Sequence, residues 1–162
     1  MTLMRPRGRG AILATFAVAL ALASLPLPEV MASWRPAWVT MVLIYWAIAL
    51  PERVGLAAAW VAGLFVDVLV GTLLGQHAIG LVLAAFVAVK LHLRMRVLPP
   101  WQQSLGVFVL VALQHLLVLW TRGMQGLPTG WEAVYAPAVT SALLWPWIFM
   151  VLRDVRRRYR VA

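Results

Sequence analysis

Apolar residues run through this chain in blocks rather than in the alternation of a half-buried strand or the narrow stripe of a surface helix. Six blocks stand out, at approximately 11–28, 36–50, 54–74, 77–93, 105–121 and 133–152. Each is close to the roughly 20 residues that carry a helix across a hydrocarbon core of about 30 Å. The stretch from Val54 to Leu93 is too long for one crossing, and its only polar break is Gly75-Gln76-His77, so it divides there. The last turn of the fourth block carries Lys90 and His92, whose polar ends would snorkel toward headgroups. Pro51 and Pro99-Pro100 punctuate the connections, while Pro137 and Pro146 fall inside the last block and predict kinks there.

Composition sharpens this pattern. Of 162 residues, 64% are hydrophobic and 12% charged, against roughly 45–50% and 25% in soluble domains. A water-soluble domain is excluded in favour of a single all-α membrane domain, a six-helix transmembrane bundle over residues 1–162 with a basic tail at 153–162. There is no cysteine, hence no disulfide framework and no thiolate metal or redox chemistry.

The net charge of +9 does not point to nucleic acid, because the basic residues flank apolar blocks instead of forming one water-facing surface. They set orientation instead. With the N-terminus inside, Arg5, Arg7, Arg9, Arg53, Lys90, Arg94, Arg96, Arg153, Arg156, Arg157, Arg158 and Arg160 are cytoplasmic, and only Arg35 and Arg122 are outside. That is a strong positive-inside bias, and an even number of crossings returns the C-terminus to the cytoplasm. Trp34, Trp38, Trp120 and Trp131 near outer ends and Trp101 near an inner end suit an interfacial belt; Trp46, Trp60, Trp145 and Trp147 read as packing or lipid-facing bulk. Residues Arg5 to Ala23 also have the features of a signal peptide, but the apolar run continues to Pro28, and cleavage would strand an odd number of helices.

Candidate chemistry is sparse. Asp67 is the one acidic side chain well inside a block, where a charge is costly and marks either a functional site or a polar contact between helices. Asp67 follows Val54 by 13 residues and His115 follows Gln102 by 13, so in parallel helices both sit about 20 Å from the inner end. Gln114 and His115 are then candidate partners for Asp67. Small residues recur every fourth position at Ala59, Gly63, Gly71 and Gly75, and again at Gly80, Ala84 and Ala88. The two stripes predict a tight hairpin between the third and fourth spans, or simply reflect the abundance of small residues in membrane helices. Arg153, Arg156, Arg157, Arg158 and Arg160 are placed to contact anionic lipid. His77, His92 and His115 lack zinc-ligand spacing, and no phosphate loop or nucleophile elbow is present. Neither an enzyme nor a metal or other cofactor is expected.

The run Asp67-Val68-Leu69-Val70-Gly71-Thr72-Leu73-Leu74-Gly75-Gln76-His77-Ala78, preceded by Leu43-Ile44-Tyr45-Trp46 and Pro51, strongly resembles the MreD family of rod shape-determining proteins of Gram-negative bacteria. Trp101-Gln102-Gln103 and Ser141-Ala142-Leu143-Leu144-Trp145-Pro146 match in order and spacing. The resemblance implies a non-catalytic inner-membrane scaffold of the elongasome. It would associate with MreC, and through it with MreB, a SEDS glycosyltransferase and a penicillin-binding transpeptidase, to organise lateral peptidoglycan synthesis. It also implies a fold like that of the substrate-binding subunits of energy-coupling-factor transporters, an analogy that transfers no ligand. On this reading Asp67, Gly71, Gly75, Gln76, His77, Gln114 and His115 form a partner-binding or structural polar site, with an outer groove left for a partner's transmembrane helix. The competing reading is a small-molecule-binding subunit of a transporter.

Overall fold

The computed structural model describes residues 8–161, and among them all regular structure is helical: α1 (Arg9–Ser24), α2 (Glu29–Ala32), α3 (Trp38–Ala49), α4 (Leu56–Val70), α5 (Gln76–Val97), α6 (Pro100–Met124) and α7 (Glu132–Arg158). The expected cytoplasmic residues Arg5 and Arg7 lie outside the described residues.

Every expected apolar block contains one helix, and α2 adds a single turn. Among the described residues only α5, α6 and α7 are long and apolar enough to cross a membrane. With 16, 12 and 15 residues, α1, α3 and α4 extend about 24, 18 and 22 Å, short of a full hydrocarbon core. Local chemistry explains the stops. Pro26 and Pro28 follow α1, Pro51 follows α3, and α4 ends at Gly71 in the left-handed conformation (φ 73°). Pro100 opens α6, where a missing N–H costs nothing, so α5 and α6 are separated only by Leu98 and Pro99. α7 continues through Pro137 and Pro146 to Arg158, so most of the expected basic tail is the last turns of a helix.

α3 lies at the centre. It packs against α1, α5, α6 and α7, while α4 pairs with α5 and α6 with α7. Every residue from Val39 to Ala49 is buried, as befits a helix apolar all round. Orphan backbone groups at both of its ends are met by side chains of other helices. The Ala37 amide donates to Ser141 Oγ at 2.9 Å, and Arg96 donates from Nε to the Ile48 carbonyl at 2.8 Å and from Nη2 to Ala49 at 2.7 Å.

Apolar surroundings give helices no hydrophobic reason to associate, so dispersion and hydrogen bonds must hold them, the latter worth about 0.5–2 kcal/mol each. Thr40 Oγ1 donates to Gln114 Oε1 at 2.5 Å, Trp46 Nε1 to Thr15 Oγ1 at 3.0 Å, and Trp145 Nε1 to Gln103 Oε1 at 3.1 Å. These bonds sort the tryptophans: Trp46 and Trp145 are fully buried, whereas Trp34, Trp60, Trp101, Trp120, Trp131 and Trp147 are exposed. The first and last described residues meet at one end of the bundle, where Gly8 lies against Val161.

Candidate functional site

The polar site builds outward from Asp67, one turn before the end of α4 and wholly buried. The amides of Gly71 and Thr72 both donate to its carbonyl at 3.0 Å, ending the helix in a tight left-handed turn. That turn brings the chain back over its own carboxylate. Oδ1 accepts from Thr72 Oγ1 at 2.9 Å, from the His77 amide at 2.8 Å and from His77 Nδ1 at 2.9 Å; Oδ2 accepts from the Gly75 amide at 2.8 Å. Gly75 and His77 stand at the start of α5, so Asp67 caps the following helix from the preceding one. The negative group meets orphan donors at the positive end of the α5 dipole.

This arrangement corrects the expected pairing with Gln114 and His115. Equal depth along two helices is no contact, and α5 packs against both α4 and α6. Gln114 accepts from Thr40 instead, and His115 Nδ1 meets the Val111 carbonyl at 3.0 Å within its own helix. The small-residue stripes also divide by role. Gly63 is a packing residue: a methyl there would come within 2.2 Å of Ala78 Cα. Gly71 and Gly75 are not. Both have positive φ, 73° and 100°, and their space is open or in ordinary contact, so glycine serves the turn there. Gly80 faces α6, where an added methyl would come within 2.8 Å of Gln114 Cγ. Ala84 and Ala88 are buried in the core. Gln76 is buried, with its Oε1 3.5 Å from Gln125 Nε2 and its own Nε2 unpartnered.

Beside the Asp67 turn is a cavity of about 480 Å³, at the end of the bundle away from Gly8 and Val161. Its walls include Arg35, Thr40, Val66, His77, Gln114, His115, Arg122 and Pro137. With Nδ1 donating to Asp67, His77 has only Nε2 to offer this space. His77 and His115 thus come to one cavity although they do not share Asp67. Arg35 is the residue sequence reasoning missed: its two terminal nitrogens donate to the Ala23 and Leu25 carbonyls at the end of α1, and its Nε is buried without a partner. The signal was present in the orphan carbonyls of a helix that stops at prolines, followed closely by a cation. Among the described residues no three His, Asp or Glu side chains gather as a metal-holding group.

The sequence profile of the family described as rod shape-determining protein MreD matches residues 4–155. The chain belongs to the MreD family. The rod shape-determining protein MreD of Haemophilus influenzae is 34% identical over 151 residues, covering 93% of each chain. No solved structure matches. Two of the segments that carry the MreD resemblance are directly bonded, Gln103 accepting from Trp145, while the bond between Asp67 and His77 closes a third segment on itself.

Proposed function

We propose that the chain is a non-catalytic membrane scaffold required for rod cell shape, crossing the inner membrane six times with both termini cytoplasmic. In this reading α1, α3 and α4 cross with α5, α6 and α7, and α2 is a surface turn on the periplasmic side. The chain acts in the elongasome by holding MreC, and through it MreB, a SEDS glycosyltransferase and a penicillin-binding transpeptidase, so that lateral peptidoglycan synthesis is organised. The observation that carries the proposal is membership of a rod shape-determining family along almost the whole chain.

The structure supports a mechanism for it. Asp67, Arg35 and Arg96 each tie off the end of a helix, which favours a rigid frame. The 480 Å³ cavity beside the Asp67 turn is the surface this frame offers to a membrane-proximal segment of MreC. Arg35, Arg122, His77 and His115 in its wall suit a segment carrying carbonyl or carboxylate oxygens. The proposal includes a fold like that of the energy-coupling-factor substrate-binding subunits, which would carry the same six crossings.

A second reading, a small-molecule-binding subunit, draws on the same cavity, since ligand pockets commonly measure about 300–1,000 Å³. A detergent pull-down of the tagged chain, with mass spectrometry of proteins and small molecules, separates the two. Recovery of MreC with wall-synthesis enzymes is the expected result; a stoichiometric metabolite without them would replace the scaffold with the second reading.

A further inference from the structure

A second cavity, of about 280 Å³, opens at the other end of the bundle, the end where Gly8 meets Val161. Four helices build it. α3 supplies Tyr45 and its last carbonyl groups, α5 supplies Arg96, α6 supplies Gln103, and α7 supplies Trp145, Phe149, Arg153 and Arg156. Three guanidinium groups therefore share one small space, and no carboxylate lines it. Asp154 is adjacent in sequence, but among the described residues no ion pair joins an arginine to a carboxylate.

The polar groups of this cavity divide into those already matched and those left over. Gln103 donates to the Met95 carbonyl at 2.7 Å and accepts from Trp145, so the floor is satisfied. Arg96 neutralises the carbonyl end of α3 with Nε and Nη2, leaving three N–H groups unclaimed. Arg156 stands within hydrogen-bonding reach of the Tyr45 phenol and gives a long bond, 3.4 Å, from Nε to the Val161 carbonyl. Arg153 stays over the Phe149 ring, 6.0 Å from its centre, and makes no hydrogen bond within the described residues. Like charges held together without a counter-ion, beside low-dielectric aromatic walls, raise the local potential and favour an anion with several oxygens. Planar guanidinium forks match phosphate geometry.

We propose that this cavity is a binding site for a phosphate group, held by Arg153 and Arg156 with the free N–H groups of Arg96 completing the set. The ligand chemistry is that of an anionic lipid headgroup or of a soluble phosphate. The proposal separates two classes of arginine on one helix: Arg153 and Arg156 line the cavity, while Arg157 and Arg158, which carry the same charge less than a turn away, do not.

The test compares R153Q/R156Q with R157Q/R158Q in the full-length, detergent-purified chain, by native mass spectrometry with added phosphatidylglycerol, phosphatidylcholine or inorganic phosphate. The expected result is a single retained phosphatidylglycerol, weakened at least about tenfold by the first pair and less than about threefold by the second. The same arginine dependence with inorganic phosphate in place of phosphatidylglycerol would support the site and assign it to a soluble ligand. Equal weakening by both pairs, phosphatidylcholine binding as tightly as phosphatidylglycerol, or no saturable binding of any probe would overturn the proposal. The single variant R153Q, which removes no hydrogen bond of the fold, guards against a folding defect, and melting curves of all variants verify it.

Discussion

Replacing Asp67 by asparagine tests the capping geometry most directly, because the two side chains are nearly isosteric and differ in what they accept. The carboxylate receives four donors. An amide oxygen placed at the Oδ1 position can still serve Thr72 and His77, but its NH₂ then faces the Gly75 amide, donor against donor. One bond to a charged acceptor is worth about 1.5–3 kcal/mol, and the three survivors lose part of their strength as the acceptor becomes neutral. Relief from burying a charge offsets some of this loss. A net cost of about 2–3 kcal/mol follows, and at about 2–4 °C per kcal/mol for a chain of this size the melting point falls by about 4–12 °C. Asp67→Ala, which strands every donor, falls further. His77→Ala, which removes one ring donor but keeps the His77 amide bond, falls less. Thermal unfolding in one detergent, read by tryptophan fluorescence, gives the order wild type, H77A, D67N, D67A. A D67N protein melting within about 2 °C of wild type would refute the claim that Asp67 holds the α4–α5 connection together.

Two further outcomes follow from the packing. Gly63→Ala drives a methyl onto the Ala78 backbone and should cost about 1–3 kcal/mol by forcing α4 from α5, whereas Gly123→Ala, with nothing within 4 Å, should leave the melting curve unchanged; equal behaviour would remove Gly63 from the interface. Trp145→Phe keeps the ring bulk but strands the buried Gln103 oxygen, so a loss of about 1–3 kcal/mol is expected, and Gln103→Leu, which also takes the donor from the Met95 and Leu98 carbonyls, should lose more in the same assay.

How far the site could be read in advance differs residue by residue. Asp67 was visible because a carboxylate in an apolar block is costly and needs a reason. Its partners were not, because the depth argument used distance along a helix and said nothing about which helices touch. The true partners, Thr72, Gly75 and His77, lie within ten residues, in a turn whose shape depends on two glycines of positive φ. Gly63, Gly71, Gly75 and Gly80 look alike in a spacing pattern, yet two face neighbouring helices and two set backbone direction.

By itself the sequence determined that the chain is helical and apolar, which prolines and glycines separate its helices, and its membership of the MreD family, since block hydrophobicity, proline and glycine punctuation and motif order are local properties of the chain. Only the tertiary structure decided that α3 is the central helix, that Arg35 and Arg96 close the ends of short helices, and that three arginines from two helices share one cavity. Those facts depend on which helices become neighbours. In an apolar setting that choice is made by close packing and a few directional hydrogen bonds, which residue composition and periodicity do not encode.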